Sequence, residues 1–129
     1  MTVRPRPILI VDFGGQYTQL IARRVRDARV FSVVLAPSAS AEEIRRWNPV
    51  GIILSGGPQS VYDKDAPVLA SDPMEAGVPV LGLCYGMHWL AQAQGGRVEG
   101  AQGREFGRAT ARIVPDSQLF AGLEEQQTV

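Results

Sequence analysis

The stretch Val78 to Gly96, Val-Pro-Val-Leu-Gly-Leu-Cys-Tyr-Gly-Met-His-Trp-Leu-Ala-Gln-Ala-Gln-Gly-Gly, constrains the fold more than any other part of the chain. Its first part, Val78 to Leu83, is a short apolar run with the composition of a strand buried on both faces, as in a parallel sheet. From Tyr85 to Gln94 the pattern turns helical, with Leu90, Ala91 and Ala93 as good helix formers and Gly95-Gly96 as the stop. The only cysteine, Cys84, sits where one pattern hands over to the other.

Gly82-Leu83-Cys84-Tyr85-Gly86 is G-x-C-x-G, the thiol version of a nucleophile elbow, in which a sharp strand-to-helix turn exposes a reactive side chain. The flanking glycines have a steric reason, because a Cβ at either would collide with the backbone of so tight a turn. A helix N-terminus also favours an anionic sulfur, through unpaired amides and the helix dipole. Most lone cysteines pack as small hydrophobes. The position between a strand pattern and a helix pattern favours the nucleophile here.

Composition narrows the function classes. A chain of 129 residues with 45% apolar and 20% charged residues has ordinary globular usage and a length suited to one domain with a real core. Thirteen basic and thirteen acidic residues cancel, so no net field draws the chain to nucleic acid or to an anionic membrane. One cysteine cannot form an internal disulfide, which fits a reducing cytoplasm. The first apolar run, Ile8 to Val11, is far too short for a signal peptide or a membrane span. No metal-ligand motif is present, and no cofactor is expected in the chain itself.

The chain then reads in order. Residues 1–7 include Arg4-Pro5-Arg6-Pro7 and predict a frayed, disordered tail, with one domain from 8 to 129. Ile8 to Val11 predicts a buried strand, Asp12 to Gly15 a turn, and Gln16 to Arg29 an amphipathic helix with Tyr17, Leu20, Ile21 and Val25 on its inner face. Arg23, Arg24 and Arg26 line the outer side, a solvated face or, with Arg29, a surface for an acidic partner. Val30 to Leu35 predicts a second strand. Ser40 and Glu43 form a capping box that opens a short helix closed by Asn48-Pro49.

Gly51 to Leu54 predicts a third strand, and the Ser55-Gly56-Gly57-Pro58-Gln59-Ser60 loop after it lets backbone amides approach a ligand. Asp72-Pro73 reads as an N-cap with proline at N1, and Gly77 as the stop. Such alternation predicts an α/β fold, a doubly wound and mainly parallel sheet with helices on both faces, and a site at the strands' carboxyl ends. After Gly96 the texture changes. Glycines at 100 and 103 break the chain, and residues 108 to 113 alternate as in an antiparallel strand. A short helical piece follows near Leu119-Phe120, stopped by Gly122, and a further strand begins at Gln127.

Asp12-Phe13-Gly14-Gly15-Gln16-Tyr17-Thr18-Gln19-Leu20-Ile21-Ala22-Arg23-Arg24-Val25-Arg26, Leu54-Ser55-Gly56-Gly57-Pro58, and Gly82-Leu83-Cys84-Tyr85-Gly86-Met87 closely resemble the N-terminal glutamine amidotransferase domain of glutamine-hydrolysing GMP synthases. The resemblance covers nearly the whole chain from Ile8. The glycine-proline loop and the elbow are shared by class I glutamine amidotransferases generally. The opening stretch, Tyr85-Gly86-Met87 and Glu105-Phe106-Gly107 point to the GMP synthase branch.

The resemblance implies that Cys84 attacks the side-chain amide of glutamine, releasing ammonia and then, by hydrolysis of a thioester, glutamate. By position, the amides of Gly57 and Tyr85 would form the oxyanion hole, and Gly56, Gln59 and His88 would hold substrate. It further implies a partner ATP pyrophosphatase domain, in cis or in trans, that uses ATP and Mg to aminate xanthosine monophosphate to GMP in purine biosynthesis, and it admits a homodimer of the whole enzyme.

Two departures modify that expectation. His88 stands where the family has a glutamine that contacts substrate, and an imidazole can still donate or accept a hydrogen bond there. The family's catalytic histidine and glutamate lie beyond the position of Val129, so the expectation is a partial domain, lacking its C-terminal part, with little glutaminase activity of its own. The rival readings are the glutaminase subunit of another class I amidotransferase, a cysteine hydrolase on the α/β-hydrolase plan, and a non-catalytic binding or regulatory fragment. Phe13-Gly14-Gly15-Gln16-Tyr17 disfavours the first, and the second leaves Ser55-Gly56-Gly57-Pro58 without a purpose.

Overall fold

Four short apolar runs become the strands of one parallel sheet, β1 (Ile8–Val11), β2 (Ser32–Leu35), β3 (Gly51–Leu54) and β4 (Val80–Gly82), in the order β2-β1-β3-β4. The structure is a computed structural model that describes residues 4–57, 69–99, 107–114 and 116–129. Leu9 lies opposite both Val33 and Ile52, and Val11 opposite both Leu35 and Leu54, so β1 is an interior strand paired along both edges. Parallel neighbours need crossovers. Helix α1 (Thr18–Asp27) links β1 to β2, and α2 (Ala41–Trp47) links β2 to β3. A 3-10 turn at Pro73–Ala76 precedes β4, and α3 (Tyr85–Ala93) follows it.

Side chains alternate across the strands, so the sheet has two apolar faces. Leu9, Val11, Leu35, Ile52 and Leu54 pack with Ile44 and Trp47 of α2 and Trp89 and Leu90 of α3. Ile8 and Ile53 instead line a groove with Leu20, Ile21 and Val25 of α1. This is the doubly wound arrangement expected from the sequence.

Local capping signals hold in detail. The Ser40 hydroxyl accepts from the Glu43 amide at 3.1 Å, and the Asp72 carboxylate accepts from the Met74 amide at 2.9 Å. Loss of the first bond in Ser40→Ala should lower stability by about 1 kcal/mol, whereas Ser40→Asp should hold it. Urea unfolding of the two variants, compared with the unaltered chain, checks this.

Several expectations change. The first helix spans Thr18 to Asp27 rather than Gln16 to Arg29, because Gln16 and Tyr17 belong to the turn and Arg29 takes a left-handed φ of 63°. Its most buried residues are Thr18 and Ala22, one helical turn apart, while Tyr17 and Leu20 are 62% and 45% exposed. Arg26 does not merely face solvent. Its Nε donates to Ser32 Oγ at 3.0 Å and its Nη2 to Ser32 O at 3.2 Å, tying α1 to β2.

Residues 4–7, in the stretch expected to fray, make specific contacts. Pro7 is fully buried, and its carbonyl accepts from Val50 N at 2.9 Å, since a proline lacks only the donor. Arg6 donates to the carbonyls of Asn48 and Pro49, both at 2.9 Å, and Arg4 lies 3.9 Å over the Trp47 ring.

The chain divides into two compact units, 1–98 and 99–129. In the second unit β5 (Thr110–Arg112) pairs antiparallel with β6 (Gln126–Thr128), as the alternation from 108 predicts. The expected helical piece near Leu119-Phe120 is a run of turns, with Gly122 at φ 87°. The glycines at 100 and 103, and Glu105-Phe106, lie outside the described residues.

Candidate active site

The carboxyl ends of β1, β3 and β4 meet, because each ladder runs one bond past its strand. Ser55 N donates to Val11 O at 3.1 Å, and Leu83 N to Leu54 O at 2.9 Å. Cys84 follows at once as the N-cap of α3, and it is exposed. Its backbone takes φ 51° and ψ −117°, a conformation that an L-residue adopts only when its surroundings impose it.

The surroundings are the elbow itself. Gly86 N donates to both Leu83 O, at 3.0 Å, and Ser55 O, at 3.1 Å, which folds the start of α3 against the end of β3. That closeness needs a bare α-carbon, since a Cβ on Gly86 would sit 2.2 Å from Leu54 O. Tyr85 is buried, with its ring 4.8 Å from that of Phe13. The corner thus has a packed inner side and an open outer one.

The open side faces the glycine loop. A Cβ built on Gly56 would lie 3.1 Å from Cys84 Cβ and 3.7 Å from its Sγ, so the sulfur stands against that loop. Beside it is a cavity of about 610 Å³, lined by Gly14 to Tyr17, Ile21, Gly56, Gly57, Leu83 and Cys84. The structure therefore brings together Cys84 and the Gly56-Gly57 loop, with Tyr85 as the first residue of α3. His88 is one turn further along α3, its amide donating to Cys84 O at 3.1 Å, and it does not line the cavity. Gln59, Pro58 and Ser60 lie outside the described residues. Among the described residues no group of three or more His, Cys, Asp or Glu converges as a metal site would require.

One wall of the cavity is absent from the sequence-derived site. The turn between β1 and α1 presses on the glycine loop, so that a Cβ on Gly15 would lie 2.4 Å from Gly56 O, and one on Gly57 would lie 2.7 Å from Phe13 O. Asp12 shapes that turn by accepting from Gly14 N at 2.8 Å and from Thr18 Oγ1 at 2.9 Å. The available signal was Gly14-Gly15 itself, a glycine pair at the carboxyl end of a parallel strand, as at Gly56-Gly57.

Residues 9–129 match the profile of the family described as Glutamine amidotransferase class-I. The chain is similar to the GMP synthase [glutamine-hydrolyzing] of Tolumonas auensis, 53% identical over 121 residues that cover 94% of this chain and 23% of that protein. The protein of the same name from Streptomyces coelicolor is 52% identical over 126 residues, covering 97% of this chain and 24% of that protein. The chain thus spans about a quarter of the length of these curated relatives. In fold it is similar to a crystal structure from Thermoplasma acidophilum, described as that of a putative GMP synthase subunit, with a TM-score of 0.77, 24% identity, and coverage of 99% of this chain and 64% of that one.

Proposed function

The chain belongs to the glutamine amidotransferase class-I family, and from that premise we propose that it carries the nucleophile and the oxyanion-binding backbone of a glutaminase. Cys84 Sγ, as thiolate, adds to the side-chain amide carbon of glutamine. The amides of Gly57 and Tyr85 hold the oxygen that becomes negative, an interaction worth about 3 kcal/mol per donor in such sites. The amide nitrogen takes up a proton and departs as ammonia, leaving a thioester on Cys84. Water then adds to the same carbon, and glutamate leaves as the sulfur is freed.

Cys84 and the Gly56-Gly57 loop share one cavity, and that observation carries the reading. Gly56 and Gln59 complete the substrate side in this proposal. Among the described residues that line the cavity none is a histidine or a carboxylate. The ammonia serves a synthetase unit, on the same polypeptide or a separate one, that consumes ATP with Mg and converts xanthosine monophosphate to GMP. The two relatives named above, both called GMP synthase [glutamine-hydrolyzing], support this extension. Among the described residues no helix is long and apolar enough to cross a membrane; the purine-biosynthetic role proposed here is a cytoplasmic one.

A chloroketone analogue of glutamine tests the site on the chain itself. The sulfur should displace chloride and become alkylated at Cys84, free glutamine should slow the reaction, and Cys84→Ser should remain unlabelled by intact mass. Labelling that glutamine fails to slow would remove the glutaminase reading.

A further inference from the structure

Two buried polar residues next in sequence to cavity-lining ones, Thr18 after Tyr17 and Ser55 before Gly56, are hydrogen-bonded in a way that the reaction above does not use. Thr18 and Ser55 are 3% and 0% exposed, and their hydroxyl oxygens are 3.2 Å apart. The one Thr18 hydroxyl proton has two acceptors in reach, Asp12 Oδ1 at 2.9 Å and Gly15 O at 3.3 Å, and the shorter contact, to a charged oxygen, is the stronger. With the Thr18 proton on Asp12, Thr18 Oγ1 is open to accept from Ser55 Oγ, whose other acceptor is Gly56 O of the glycine loop at 3.3 Å, and Ser55 Oγ itself accepts from Phe13 N at 3.4 Å. Ser55 is the hub: its side chain bonds the start of α1 and the exit of β1, its amide extends the β1–β3 ladder, and its carbonyl takes the Gly86 N–H of the elbow. The next residue, Gly56, is the one that stands against Cys84 Sγ.

We propose that Thr18 is a positioning residue, whose hydroxyl, held by Asp12, fixes through Ser55 the height of the Gly56-Gly57 loop relative to the Cys84 sulfur. This rests on the glutaminase reading. The loop is wedged between Phe13 and Gly15 on one side and the elbow on the other, with no room for a methyl group on Gly57 or Gly15. A hydrogen bond lost at its base therefore displaces amides that must point at a developing oxyanion. Such amides lose their effect when misplaced by a fraction of an ångström.

Two alkylating probes separate positioning from general support of the fold. The chloroketone analogue of glutamine needs its ketone oxygen seated against the loop, whereas iodoacetamide needs only an accessible sulfur. Thr18→Val, which keeps the shape and removes the hydroxyl, should slow the analogue about tenfold and leave iodoacetamide within about twofold. Thr18→Ser should restore the analogue rate to within about threefold of the unaltered chain. Should Thr18→Val fail to fold, Asp12→Asn, which keeps an acceptor oxygen but not its charge, should show the same selective loss at about threefold.

Equal slowing of both probes, no slowing of either, or failure of serine to rescue overturns the inference. Analogue labelling that glutamine does not slow in the unaltered chain overturns the glutaminase reading and this inference with it. Protectable labelling there, with Thr18→Val unchanged, overturns this inference alone.

Discussion

Replacing Cys84 with glycine should make the chain more stable while removing all glutamine-protectable labelling. The backbone at Cys84, φ 51° and ψ −117°, is one that glycine adopts freely and other residues adopt at a cost of about 1–3 kcal/mol. Because the side chain is exposed, its removal sacrifices little packing. Against the relief stands the extra freedom of glycine in the unfolded chain, about 0.5–1 kcal/mol. The net expectation is a gain of about 1 kcal/mol, or about 3–4 °C in melting temperature for a chain of this size. Cys84→Ala supplies the control, since it removes the sulfur but keeps the strain. Calorimetry should rank glycine above both alanine and cysteine, and an alanine variant as stable as the glycine one would show that the elbow is not strained. The sign matters for function, because the fold then holds its nucleophile in place against a local preference.

Gly86→Ala is expected to do the opposite, on a larger scale. The added methyl would lie 2.2 Å from Leu54 O, 2.5 Å from Leu54 C and 2.6 Å from Leu54 Cβ. Leu54 is fully buried and paired with β1, so neither side can yield without opening the β3–β4 ladder or the first turn of α3. Overpacking of this kind costs about 3 kcal/mol or more. Gly95→Ala provides the scale. Its methyl would meet nothing within 4 Å, although φ is +82°, so only the backbone conformation is penalised, by about 1 kcal/mol. Urea denaturation of the two variants should differ by about 2 kcal/mol. If Gly86→Ala folds as stably as Gly95→Ala, the close contact between elbow and β3 is wrong. Any Gly86→Ala that remains folded should label poorly with the glutamine analogue, because Tyr85 N moves with that turn.

The two predictions bear on the same corner from different sides. One concerns strain that persists because the surroundings impose it, and the other concerns the contact that does the imposing. Neither could be argued from Gly82-Leu83-Cys84-Tyr85-Gly86 as a motif alone. The motif states which residues have no side chain, not which strand lies against them.

What was legible in the sequence depended on how far apart the interacting residues are. The Ser40 and Asp72 caps close bonds two or three residues away, and both are where the pattern puts them. Gly51 to Leu54 matches its strand residue for residue, since a fully buried parallel strand shows as an unbroken apolar run. The fourth strand shrank from Val78–Leu83 to Val80–Gly82, with one ladder bond persisting at each end, from Ile52 N to Pro79 O at 3.0 Å and from Leu83 N to Leu54 O at 2.9 Å. The first helix lost Gln16 and Tyr17 because its turn is set by the Asp12 carboxylate and not by helix propensity.

The sequence by itself determined the alternation of strands and helices, the caps, and a cysteine at a strand-to-helix corner, all of which follow from preferences acting within a turn or two of the chain. The tertiary structure alone decided that the β1–α1 turn forms a wall of the Cys84 cavity and that Thr18 meets Ser55, 37 positions away. It likewise decided that Arg26 ties α1 to β2 and that Pro7 is buried beside Val50. The reason is strand order: placing β1 between β2 and β3 brings its carboxyl end beside that of β3, and no local pattern in either strand specifies its neighbour.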